Sequence, residues 1–128
     1  MKTPYPFLAL LLWGTSTMAQ DPHIQRLAQE LQSQEPGIRM QAARSLGRAS
    51  QAQSVLLLRQ ALPAEPSAAV RLEMVRALRG IAFLRYPGYP EALRALEQQS
   101  SDAVEADEGV RLKATEALWE AGKKDLLD

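Results

Sequence analysis

A short phrase occurs three times along the chain, as Ile38-Arg39 to Leu46, Val70-Arg71 to Leu78 and Val110-Arg111 to Leu118. Each copy opens with a branched aliphatic residue and an arginine, continues through small or apolar residues, and closes on leucine eight positions after its start. Self-similarity on this scale is the mark of a repeat architecture, in which one supersecondary unit is stacked on the next. A chain so built is expected to act through a surface rather than through a chemical pocket.

The residues around each phrase read as paired helices. Asp21-Pro22 is a helix start, because aspartate accepts from a free amide and proline is tolerated in the first turn. Ile24, Leu27, Ala28 and Leu31 follow at i, i+3, i+4 and i+7, which is one apolar stripe. Glu35-Pro36-Gly37 breaks that helix, and Ile38, Ala42, Ser45 and Leu46 then share a face of a second one. The plan repeats with Val55, Leu58 and Leu62, the breaker Pro63-Ala64-Glu65-Pro66, and a buried face of Val70, Met74, Ala77 and Leu78. A third pair places Ala92, Leu93 and Leu96 after Pro90, then Val110, Ala114, Ala117 and Leu118 after an acidic loop. A single pair cannot bury both stripes, so stacking about three of them is what generates a core. Composition agrees: Ala, Leu, Arg, Glu and Gln dominate, and aromatics are 5% of the chain, which favours helix over sheet.

The phrases and their small residues resemble HEAT repeats, in particular the short HEAT-like class also found in phycobilisome lyases. The resemblance covers about residues 22–122. It implies an all-α fold, an α-solenoid of about three helix-pair repeats at approximately 22–49, 51–84 and 88–122. It also implies a ladder between layers, in which an arginine early in the second helix of each pair meets a carboxylate of the preceding turn. Arg39, Arg71 and Arg111 match the arginine position, with Glu35, Ser67 and Asp107 three residues before each aliphatic. The serine interrupts the pattern, and Glu65 is a substitute for it. Lyase chemistry does not follow, since a repeat motif specifies fold much better than function.

The copies are unevenly spaced. Val70 follows Ile38 by 32 residues and Val110 follows Val70 by 40, so eight extra residues separate the second and third copies. They are expected in loops, mostly in the connection Gln98 to Gly109 and partly in the turn Tyr86-Pro87-Gly88-Tyr89-Pro90. The two tyrosines of that turn have two readings: a proline-stiffened contact patch, or rings folded back over the open side of the second repeat. Arg44 and Arg48, Arg76 and Arg79, then Glu116 and Glu120 fall along the outer side of the second helices. They make a basic patch that turns acidic toward the C-terminus, a candidate surface for a polar partner or for another copy of the chain. Tyr86, Tyr89, Arg44, Arg48 and Arg76 are therefore the candidate partner-binding residues.

Other functions lack the residues they need. Fifteen basic against fifteen acidic side chains leave no net field to attract nucleic acid or an acidic membrane. Cysteine is absent, which removes disulfides, thiolate metal sites and a thiol nucleophile. The single histidine, His23, sits in the first turn of the first helix without a companion ligand or triad. Asp102, Glu105, Asp107 and Glu108 are rich in oxygen but lack the alternating spacing and central glycine of a calcium loop, so a solvated loop and helix cap is expected there. No catalytic residue, metal or cofactor is assigned.

Residues 1–19 read as an export signal. Lys2 is their sole charge, an apolar run extends from Phe7 to Trp13, and the small Thr17 and Ala19 flank Met18 before a cleavage site after Ala19. The run is far short of the ~20 residues needed to span a bilayer. A periplasmic or secreted protein without stable membrane insertion is expected, acting as a non-catalytic interaction module toward a protein partner. The alternatives are an accessory that binds a small ligand between repeats, and a homo-oligomer, suggested by Lys123 to Asp128 beginning like a further first helix.

Overall fold

The computed structural model describes residues 21–127, with side chains to Lys124. Among these residues the chain forms six α-helices and no strand. They are α1 (Pro22–Glu30), α2 (Pro36–Arg48), α3 (Ala52–Ala61), α4 (Ala68–Leu84), α5 (Tyr89–Gln99) and α6 (Glu108–Leu127), with one 3-10 turn, Leu62–Ala64, after α3. The export reading of residues 1–19 lies outside the described residues. No described helix is long and apolar enough to cross a membrane.

The helices form three pairs, α1/α2, α3/α4 and α5/α6, stacked into an α-solenoid. Within the stack α2 lies against α4 and α4 against α6, while α1 meets α3 and α3 meets α5 less extensively. Two of the three second helices start where the sequence supplies a cap: for α4 the Ser67 hydroxyl accepts from the Val70 N–H at 3.3 Å, and for α6 Asp107 accepts from the Val110 N–H at 3.0 Å. Asp21 does the same for α1 through the His23 N–H at 2.9 Å, and its other oxygen accepts from Gln51 at 2.9 Å, tying the first pair to the second.

The core is the sum of the apolar stripes. Ile24, Leu27, Ala28, Leu46, Leu58, Met74, Leu78, Leu96 and Ala114 are all buried. Small residues set the layer spacing. A Cβ added to Gly47 would lie 2.9 Å from both Cα and Cβ of Ala77, so α2 and α4 touch there because the glycine has no side chain. Ile38 departs from the expected core: it is 40% exposed, where its counterparts Val70 and Val110 are 0% and 2%. The first layer has no neighbour on its outer side among the described residues, and Ile38 sits at that edge.

The eight extra residues are not mainly in loops. Helix α4 has 17 residues against 13 in α2, so half of the insertion is one additional helical turn that ends in Phe83 and Leu84. Gly80 does not stop the helix. It ends at Arg85, which takes the left-handed conformation at φ 59° and donates its N–H to Ile81. Gly88 then has a φ of 90°, and a Cβ there would approach Val55 to 3.0 Å, so the turn into α5 requires glycine. At the other end, Lys123 to Leu127 continue α6 rather than opening a further first helix.

Candidate functional site

The arginine ladder links layers, with carboxylates other than the expected ones. Arg39 Nε and Nη2 donate to the two oxygens of Glu65, each at 2.8 Å, and Arg71 Nε and Nη2 donate to Glu105 in the same way. Glu65 and Glu105 stand five residues before their aliphatic, not three, and each belongs to the turn of the following repeat. Glu35 and Asp107 are therefore not the rungs: Glu35 is exposed without a capping bond, and Asp107 is the cap of α6. The offset has a physical reason. The residue three before the aliphatic is close enough to close the helix N-terminus, whereas the one two residues earlier faces the layer below.

Each rung glutamate is satisfied from several sides. Glu105 is 1% exposed, accepts from Gln99 Nε2 at 2.6 Å, and takes the N–H of Asp107 at 3.0 Å. Burial pushes its pKa up, but the bonds from Arg71 and the Asp107 N–H and the charge of Arg71 pull it net below the ordinary value. Glu65 likewise takes the Ser67 N–H at 3.0 Å. The remaining guanidinium nitrogen ties each arginine to its own turn: Arg39 Nη1 donates to the Ser33 carbonyl at 2.9 Å, Arg71 Nη1 to those of Glu65 and Pro66 at 3.0 and 3.1 Å, and Arg111 Nη1 to those of Glu105 and Ala106 at 2.8 and 3.0 Å.

Four of the five candidate partner-binding residues come together. Arg44, Arg48, Arg76 and Tyr86 line one open groove of about 270 Å³ between α2 and α4, with Gly47, Glu73, Ala77, Gly80 and Leu84. Glu73 is buried between two arginines, accepting from Arg44 Nε and Nη2 at 3.1 and 3.3 Å and from Arg76 Nη1 at 3.1 Å. Hydrogen bonding from Arg44, then its charge, holds the Glu73 carboxyl below its usual range against the opposing effect of burial. Arg48, on the exposed rim, makes no hydrogen bond or ion pair within the described residues. Three guanidinium groups around one carboxylate leave the groove positive, over a floor of alanine, glycine and the half-exposed Leu84.

Tyr89 is elsewhere. It begins α5 and packs against the core, with the Arg85 guanidinium 4.9 Å from its ring centroid. Tyr86 also packs against the core while lining the groove, so the turn both covers the second repeat and contributes a residue to a surface. Sequence reasoning missed Glu73, Gly80 and Leu84 as groove residues. Leu84 depends on the extra turn of α4, and Glu73 reads as a solvated helix charge unless α2 is known to lie beside it. Further along, Arg79 pairs with Glu120 across α4 and α6 at 2.6 Å, so the supposed basic and acidic ends of the outer stripe are partly bonded to each other.

His23 is exposed, with Nδ1 3.1 Å from Arg26 Nη2. Among the described residues no three His, Asp or Glu side chains gather as metal ligands.

With three stacked pairs and an interlayer arginine ladder in place, the comparison with known families is decisive: a model described as HEAT repeats matches residues 24–119. The chain belongs to the HEAT-repeat family. No curated protein and no solved structure matches it. HEAT repeats commonly mediate protein–protein interaction and are generally non-catalytic scaffolds. In a HEAT-repeat chain the groove between second helices is a natural place for a surface to be read, because its lining comes from two successive layers held in register by the core.

Proposed function

We propose that this HEAT-repeat chain is a non-catalytic protein-interaction module of the cell envelope, an adapter or an assembly subunit, which engages a protein partner through the groove between α2 and α4. The observation that carries this reading is the meeting of Arg44, Arg48, Arg76 and Tyr86 around Leu84 in one recess. An exposed arginine beside an aromatic edge and an apolar floor is the composition found at binding hot spots. The excess of positive charge favours a partner segment that carries an acidic residue next to an apolar one. A small-ligand site is less well supported, because about 270 Å³ of open groove falls below the ~300–1,000 Å³ of pockets that enclose drug-sized molecules.

The reading is tested with an Arg48→Glu variant, since the Arg48 side chain has no bond to lose among the described residues. The module should retain one stoichiometric protein from envelope extract, and Arg48→Glu should release it while keeping an unchanged circular dichroism melt. Equal retention by both forms, or no retained protein, overturns the groove assignment. Export is tested separately: protein recovered from the envelope fraction should begin at Gln20, the residue after the proposed cleavage site.

A further inference from the structure

The ladder repeats a single construction, and among the described residues its third copy is incomplete. In the first two copies Nη1 is fixed to backbone carbonyls of the arginine's own turn, while Nε and Nη2 form a fork that receives both oxygens of a glutamate from the next layer. Arg111 has the same fixation, to the carbonyls of Glu105 and Ala106, and is partly buried. Its Nε and Nη2 meet no acceptor among the described residues. The neighbouring acids do not fill the place: Asp107 is engaged by the Val110 N–H, and Glu108 is exposed with no bond to Arg111.

We propose that the Arg111 fork is a docking site for a glutamate of a partner protein, arriving where the turn of a fourth layer would lie. A guanidinium held with two parallel N–H groups outward is matched in geometry and charge by a carboxylate, and the two occupied forks in the same molecule show the bound form. The surroundings fit a polypeptide. Arg111, Thr115 and Trp119 follow at i, i+4 and i+8, in register with Arg71, Val75 and Arg79 of α4, whose two arginines bond to the next layer. Trp119 is 65% exposed on this stripe, with the Lys123 ammonium 5.0 Å from its ring centroid.

A second copy of this chain stacked head to tail is not the occupant. The residue five before Ile38, where Glu65 and Glu105 stand in the later repeats, is Ser33, and its hydroxyl accepts the Glu35 N–H at 3.1 Å. Such a copy would bring a hydroxyl to a fork built for a carboxylate. The occupant we propose is a turn glutamate of a partner protein, two residues ahead of a helix cap, as Glu105 stands two residues ahead of Asp107.

The test follows the arginine Nε–H signals by 15N NMR while an amidated, acetylated hexapeptide is added. The peptide copies residues 103–108 with Asp107→Asn and Glu108→Gln, so that Glu105 is its one carboxylate. The Arg111 Nε–H should exchange faster with water than those of Arg39 and Arg71, and should alone shift saturably. The same peptide with Glu105→Gln should bind at least about tenfold more weakly. An unmoved Arg111 signal, or an equal response to the carboxylate-free peptide, overturns the proposal. So does an Arg111 signal that changes on dilution of the protein alone, which would make a second copy the occupant. The site is independent of the α2/α4 groove, and Arg48→Glu should leave the titration unaltered.

Discussion

Helices α4 and α6 are the same element in two settings. Positions forty residues apart correspond: Val70 and Val110, Met74 and Ala114, and Ala77 and Ala117 are buried in both. Among the apolar positions the difference is largest on the side that faces onward along the stack. Val75 is buried and Thr115 is exposed; Ala82 is buried and Gly122 is exposed; Arg79 bonds to Glu120 whereas Trp119 stands in solvent. The buried apolar positions toward the preceding layer are kept, although Glu73, bonded to Arg44, gives way to Lys113, bonded to Glu116, and the onward face is made more polar but not wholly so. An end layer of a solenoid needs a polar outer side. At the last described layer Thr115 and the Arg111 guanidinium are in keeping with such a side, and the exposed Trp119 departs from it.

The comparison is broken most severely at the buried rung. Glu105→Ala should cost about 3–5 kcal/mol, because Arg71 and Gln99 lose a shared acceptor in a buried setting. Denaturant unfolding measures it, and a cost below ~1 kcal/mol would show that the ladder does not hold the layers. The same rung sets a pH dependence. The Glu105 carboxyl is depressed in the folded chain, so between its folded and unfolded values the unfolded state binds more protons. Its stabilisation is complete above the unfolded value near 4.5 and is lost as pH falls through the lower folded one. Glu105→Gln should flatten the acid limb of the stability curve.

Next in size is the leucine that closes each phrase. Leu78→Ala should cost about 2–5 kcal/mol, and Leu118→Ala, half-buried in the last described layer, less than half as much. Equal costs would mean that α6 is covered as α4 is. A smaller contrast comes from exchanging the onward residues. Val75→Thr buries a hydroxyl and should cost about 1–3 kcal/mol, whereas Thr115→Val should stay within ~0.5 kcal/mol of the parent. The smallest effect has the opposite sign: Gly122 has open space around its Cα, so Gly122→Ala should stabilise α6 by about 0.5–1 kcal/mol.

Much of this frame could be read from residues alone. Periodicity located three helix pairs, because each stripe repeats at helical spacing and proline or glycine punctuates it. The arginines were legible for the same reason, as fixed members of the phrase. Their partners were not, because a guanidinium reaches into another layer and sequence spacing does not report that direction. Glu65 and Glu105 share an offset of five from Val70 and Val110, a regularity that is visible in the chain, but Glu105 is masked by Asp102, Asp107 and Glu108 around it. The extra turn of α4 was not read because the repeated phrase closes at Leu78 and nothing in it fixes how far the helix runs beyond. The groove was legible in part: Arg44, Arg48 and Arg76 were placed on an outer stripe, while Glu73 and Leu84 join them only once α2 and α4 are side by side.

Because every ladder arginine binds both its own turn and, in the first two copies, the turn of the next repeat, the turns form a continuous chain of bonds parallel to the hydrophobic core. In a one-dimensional array the coupling between neighbours decides whether units melt together or separately. A rung that joins two turns raises the energy of the boundary between a folded and an unfolded repeat, and so makes partly melted arrays rare. Cutting the Arg71 rung should therefore do more than lower the melting temperature: it should broaden the transition and allow the α5/α6 pair to exchange its amides before α1 to α4 do.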